Sequence, residues 1–198
     1  MKAESLDADY WRRRWTERET GWDIGYPSTP LKAFIDQLDE RELNILIPGC
    51  GNAYEGAYLF EKGFERTTLI DLAPEAVEAA RQKSPHIPAE RYVVGDFFEH
   101  EGAYDLILEQ TFFCALHPEQ RGDYARKMHS LLKPGGILAG VLFEDELFQD
   151  HPPYGGYRQN YRPHFEGLFD FLTFERCYNS IPPRANRELF IRLRKRES

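Results

Sequence analysis

The chain is 198 residues long, which makes one domain with a sizeable core the default expectation. Its formal charge of −8 argues against a broad grip on nucleic-acid phosphates. With no run of about 18 apolar residues and no apolar leader ahead of a small-residue cleavage site, neither a membrane span nor a secretory signal is expected.

Taken in order, Asp9 to Arg18 reads as a short amphipathic helix, with Trp11 and Trp15 four apart on one face. "GWDIGYPSTP" is a loop, and "PLKAFIDQL" a helix with Pro30 in its first turn. From Asn44 the pattern alternates. "NILIP" is a buried strand, "GCGN" a glycine turn, and Ala53 to Lys62 a helix. "RTTLIDL" and "RYVVGD" are strands flanking the helix "APEAVEAARQK". "YDLILEQ" is the fourth strand, "PEQRGDYARKMHSLL" a helix, "KPGG" a turn, and "ILAGVLF" a fully apolar fifth strand. After an irregular stretch, Glu144 to Pro163, the residues "HFEGLFDF" predict a helix, with "LTFERCYN" and "RELFIRLRK" as two closing strands. The expected fold is α/β: a Rossmann-like, doubly wound, mostly parallel seven-stranded sheet with a C-terminal antiparallel hairpin, in a single domain spanning 1–198.

Cys50, Cys114 and Cys177 match neither a zinc spacing nor a disulfide framework, and the six histidines form no metal-binding motif. A reduced, cytoplasmic, metal-free protein is expected, with a monomer as the default.

The turn in "ILIPGCGNAYEG" lets backbone approach a ligand at a helix N-terminus. A dinucleotide fingerprint needs glycine where Tyr54 stands, so pyrophosphate binding is disfavoured. Asp71, at the next strand end, follows Gly51 at the distance of a ribose-gripping acid. Asp96 in "GDFFE" is placed to accept from an adenine amino group, with Phe97 against the ring. Singly, Asp71 reads equally well as a helix cap and Asp96 as a turn residue. Together with the glycine turn, on successive strand ends, they describe an adenosine pocket that S-adenosylmethionine fits and NAD fits only in part.

The stretches "YWRRRW…GWDIGYPSTPL", "LIPGCGNAYEG", "LIDLAPEAVEAA", "GDFF", "YDLILEQTFFCALHPEQR", "LLKPGGIL" and "HPPY" resemble the class I S-adenosylmethionine-dependent methyltransferases. More narrowly, the chain resembles the thiopurine S-methyltransferase-like family with its halide and thiol methyltransferase branch. The resemblance implies an N-terminal cap, residues 1–30, folded over the cofactor. It makes Trp11, Trp15, Trp22, Gly49, Asp71, Asp96 and Phe97 cofactor-binding candidates, and an indole face suits a sulfonium cation. Gln110 stands where thiopurine-type members often carry arginine and thiol or halide members tyrosine; glutamine still offers the cofactor a hydrogen bond. Glu55 replaces a frequent aspartate, and "EQTF" is not the motif of base-modifying enzymes.

The implied activity is methyl transfer to a small thiol, hydrosulfide, thiocyanate or halide, which needs no general base and no assigned catalytic residue. Phe112, Phe113, Phe143, Tyr154 and Tyr157 are candidates for an aromatic acceptor pocket, with Arg158 or Arg162 attracting an anion and 144–163 forming a lid. Cys114 reads as a buried, inert thiol. Two alternatives are an oxygen- or nitrogen-methylating enzyme using His117 or Glu109 as base, and a non-catalytic binder of the cofactor.

Overall fold

A computed structural model describes residues 6–197; residues 1–5 of the expected cap and Ser198 lie outside them. Seven strands form one sheet in the order β3-β2-β1-β4-β5-β7-β6. The parallel part comprises β1 (Ile45–Pro48), β2 (Thr67–Asp71), β3 (Tyr92–Val94), β4 (Tyr104–Gln110) and β5 (Leu132–Phe143). Antiparallel β7 (Glu188–Lys195) joins β5 to the edge strand β6 (Phe169–Arg176).

Strand alternation decides which residues face which layer. Ile45, Ile47, Leu106 and Leu108 point to one face, where they meet α2 (Thr29–Ile35), α3 (Tyr54–Glu61) and α4 (Pro74–Lys83) through Leu31, Leu59 and Val77. Leu46 and Ile107 point to the other, covered by α5 (Arg121–Leu131) and α6 (Arg158–Phe165) through Tyr124, Met128 and Phe165. Burial on both faces explains why these strands read as continuous apolar runs. The doubly wound fold with its C-terminal antiparallel pair is therefore as the sequence implies.

Three local differences have physical causes. "KPGG" does not separate helix from strand. It lies within β5, and the register with β4 shifts from Tyr104↔Leu132 to Leu106↔Ile137, so those residues loop out of the ladder at left-handed Gly135. The sixth helix starts at Arg158, earlier than "HFEGLFDF" predicts, because Tyr157 and Asn160 cap it. Gly167 at φ +82 then ends the helical stretch, and Phe169 and Phe171 pair with β7 as strand residues. At the N-terminus, α1 (Ala8–Thr16) is capped by Asp7, whose carboxylate accepts from the Tyr10 N–H at 3.1 Å. Among the described residues no helix is long and apolar enough to cross a membrane.

Candidate active site

The carboxyl ends of β1, β2, β4 and β5 open onto one cavity of about 810 Å³, roofed by α1 and the loop that follows it. Its floor is the turn after β1. Gly49 and Gly51 both take left-handed backbone, at φ +58 and +51. A Cβ on Gly49 would fall 2.5 Å from Phe112 Cδ2, so the turn requires glycine for space as well as for conformation. Asp71 ends β2 and holds this turn: the Gly51 N–H donates to Oδ2 and the Ala73 N–H to Oδ1, both at 2.9 Å. Burial pushes its carboxyl above the ordinary value, and these N–H donors oppose that.

Beyond β3, Asp96 is exposed at the cavity edge, where Oδ1 accepts from the Phe98 N–H at 2.8 Å. Phe97 borders the cavity but is 4% exposed and packs edge-on to Phe112 with centroids 5.1 Å apart, so it is chiefly a core residue. Gln110, ending β4, also lines the cavity, and its Oε1 is buried without a hydrogen-bond partner.

The roof answers for the three tryptophans. Trp11 and Trp15 each meet Trp22 edge to face, at 5.7 and 6.2 Å, and all three border the cavity. The Trp15 ring lies 3.6 Å from where a Gly51 Cβ would be, against the glycine turn. Polar contacts tie roof to body. Arg12 Nε donates to Glu75 on α4 at 2.8 Å, the Ser28 N–H to buried Glu55 Oε1 at 2.8 Å, and Asn52 Nδ2 to Asp23 Oδ2 at 2.5 Å.

The opposite side is apolar, built from Phe112, Phe143, Leu147, Phe148, Pro152 and Pro153. Two arginines that the sequence reasoning missed join it. Arg184 is 8% exposed; its Nη2 donates to the Trp22 carbonyl at 3.0 Å, and its Nη1 lies 3.6 Å from Glu188 Oε1 with no hydrogen bond. Arg187 pairs with Asp145. A signal for both existed: β7 runs antiparallel to β5 and starts opposite Phe143, which carries the segment before it to the functional end of the sheet.

Five residues expected beside an acceptor stand elsewhere. Phe113 is 2% exposed and wedged between Tyr124 and Tyr161, with centroids 5.0 and 5.1 Å away. Tyr154 is 3% exposed, its N–H donating to the Cys114 carbonyl at 2.7 Å and its ring edge-on to His117. Tyr157 is exposed and caps α6. Arg158 grips Glu144 through Nε at 2.5 Å and Nη2 at 2.7 Å, while Arg162 pairs with Glu166 on α6's outer side. None of these borders the cavity. His117, a turn cap, and Glu109 do not border it either. Cys114 does, but burial pushes its thiol up to about 12, so it stays protonated. Among the described residues no group of His, Cys, Asp and Glu is arranged to hold a metal.

A family model described as thiopurine S-methyltransferase matches residues 6–190. A protein of Arabidopsis thaliana named probable thiol methyltransferase 2 is 32% identical over 149 residues, covering 73% of this chain and 66% of that protein. Thiocyanate methyltransferase 1 of Brassica oleracea is 31% identical, covering 76% and 69% of the two chains. Among solved structures, a Burkholderia thailandensis 1,6-didemethyltoxoflavin-N1-methyltransferase with bound S-adenosylhomocysteine superimposes with a TM-score of 0.73 at 21% identity, over 96% of this chain and 87% of that one.

Proposed function

We propose, from the premise that this chain belongs to the thiopurine S-methyltransferase family and is an S-adenosylmethionine-dependent methyltransferase, that its acceptor is a small thiol, hydrosulfide, thiocyanate or halide. One observation carries the choice: the acceptor side joins apolar walls to the guanidinium groups of Arg184 and Arg187, while Glu109 and His117, the bases that a hydroxyl or amine acceptor would call on, stand off the cavity. The one histidine that borders it among the described residues, His151, lies half-exposed with Nδ1 on its neighbour's carbonyl.

The residues fit the cofactor. Each Asp71 oxygen has one backbone donor in the structure and retains acceptor capacity, matching the two hydroxyls of a ribose. The left-handed glycine turn gives close approach to backbone, and the indoles of Trp11, Trp15 and Trp22 offer π faces to a cation. Asp96 and Gln110 supply polar contacts along the same wall, with Phe97 behind them. When bound, S-adenosylmethionine supplies a methyl group on a sulfonium, a leaving group that needs no acid catalyst.

The chain's own part is to orient and to exclude water. Arg184 and Arg187 draw an anion to the cavity, and Phe112, Phe143 and Phe148 strip its hydration, which raises the reactivity of a soft nucleophile. Segment 144–163 serves as the lid through Leu147 to Pro153, and the N-terminal segment closes the cofactor side. Three free, buried cysteines and the acidic surface suit a monomer of the reducing cytoplasm that takes small molecules and not nucleic acid.

The test is transfer from labelled S-adenosylmethionine to iodide, thiocyanate, hydrosulfide and an aromatic thiol in parallel. Turnover with at least one, and none with hydroxyl or amine analogues of the aromatic thiol, is expected. Silence with all four, while S-adenosylhomocysteine binds, would refute the acceptor class.

A further inference from the structure

We infer that Glu109 is a positioning residue whose ionised carboxylate sets the strand-end wall of the cofactor cavity, so that cofactor affinity is linked to its proton. Glu109 is 0% exposed in the central strand β4, opposite Gly140 of β5. A Cβ at Gly140 would fall 2.4 Å from Glu109 Cβ, so β5 leaves it room. Its side chain turns back onto the segment that follows. Oε1 accepts from the Phe112 N–H at 2.8 Å and the Phe113 N–H at 3.0 Å, while Oε2 accepts from the Tyr124 hydroxyl at 2.6 Å. These bonds fix a turn in which Thr111 takes left-handed backbone at φ +57. The turn in turn places the Phe112 ring against Gly49, and Gln110, Thr111, Phe112 and Cys114 along the cavity.

Three donors and no cation define the site. Among the described residues Glu109 forms no ion pair, and its titratable neighbours are Tyr124 from α5 and Cys114 from the turn, both pushed upward by burial. Arg121 and Arg184 act on Cys114. Burial holds the Glu109 carboxyl up at about 7, against the pull of its donors, so both protonation states are present near neutrality. Charge-assisted bonds are the stronger ones, so the protonated form grips the 112–113 amides less firmly and the wall slackens. The wall that the cofactor meets is the one these bonds hold, so binding favours the carboxylate: affinity rises with pH through about 7, and binding releases a proton.

The inference concerns the cofactor alone and stands whether or not the acceptor assignment does. Binding of S-adenosylhomocysteine is measured by titration calorimetry from pH 5.5 to 8.5, in two buffers of different ionisation enthalpy. In the wild type, affinity is expected to rise about fivefold across the range, with fractional proton release near pH 7. Glu109→Gln keeps an acceptor for both amides and a polar group for Tyr124 but cannot titrate; the step in affinity near pH 7 and the proton release that accompanies it should vanish. Tyr124→Phe removes one donor and should move the midpoint to higher pH, an independent arm if Glu109→Gln fails to fold. Identical pH profiles for wild type and Glu109→Gln, an unmoved midpoint in Tyr124→Phe, or proton uptake on binding would each overturn the inference.

Discussion

Replacing Asp71 with asparagine separates its two tasks. An ionised aspartate is acceptor-only, with about four lone-pair sites. The Gly51 and Ala73 amides take one on each oxygen and the Leu72 amide also acts on the carboxyl, and the capacity that remains is offered to ligand hydroxyls. Asparagine keeps one oxygen and sets an NH₂ group against the other backbone donor. One charge-assisted bond to the scaffold is lost, and so is one to the ribose, each worth about 1.5–3 kcal/mol. Taking about 2 kcal/mol for the ligand bond, S-adenosylhomocysteine should bind about 30-fold more weakly by calorimetry. Comparison with its 2′,3′-dideoxy analogue completes a cycle: the analogue should be nearly indifferent to Asp71→Asn, because it lacks the groups the lost site would hold. An unchanged affinity, or equal losses for both ligands, would refute the ribose contact and leave Asp71 as a brace for the glycine turn.

Gly49→Ala should destabilise the fold by roughly 3 kcal/mol in denaturant melts, the sum of left-handed strain and a collision with the Phe112 ring. Phe112→Ala in that background should restore part of the loss, since it removes the colliding ring; no restoration would mean that backbone strain alone is responsible. Arg184→Met takes from buried Glu55 its nearby cation and from buried Glu188 one of two, Arg187 remaining, and frees the Trp22 carbonyl, a loss of about 3 kcal/mol at neutral pH. Burial already raises both carboxyls, and removing Arg184 raises them further. The penalty is present above their folded values and relieved below them, so the deficit against wild type should shrink as stability is measured from pH 7 down to pH 5. A deficit independent of pH would show that the arginine acts instead through its contact with the Phe143 ring, whose centroid lies 5.4 Å from the guanidinium carbon.

What the sequence discloses depends on how local the cause is. The glycine turn and Asp71 are legible because strand, turn, helix and the next strand end form one contiguous βαβ unit, whose geometry fixes what stands beside what. The sheet is legible for the same reason: burial on both faces writes itself as continuous apolar strands. The acceptor side fails this condition. Phe113 and Phe112 differ by one position, and which of them faces the cavity is decided by left-handed Thr111 and by two amides bonded to a carboxylate three and four residues back. No periodicity encodes that reversal. Arg158 lies near the right end of the sheet, yet Glu144 captures it on the outer side. Arg184, more distant in sequence from the glycine turn, arrives because antiparallel β7 must begin where β5 ends. Aromatic and charged residues around such a cavity are therefore better chosen by following the ends of strands than by counting side chains along a loop. On that rule, the segment 181–187 outranks 154–158 from topology alone.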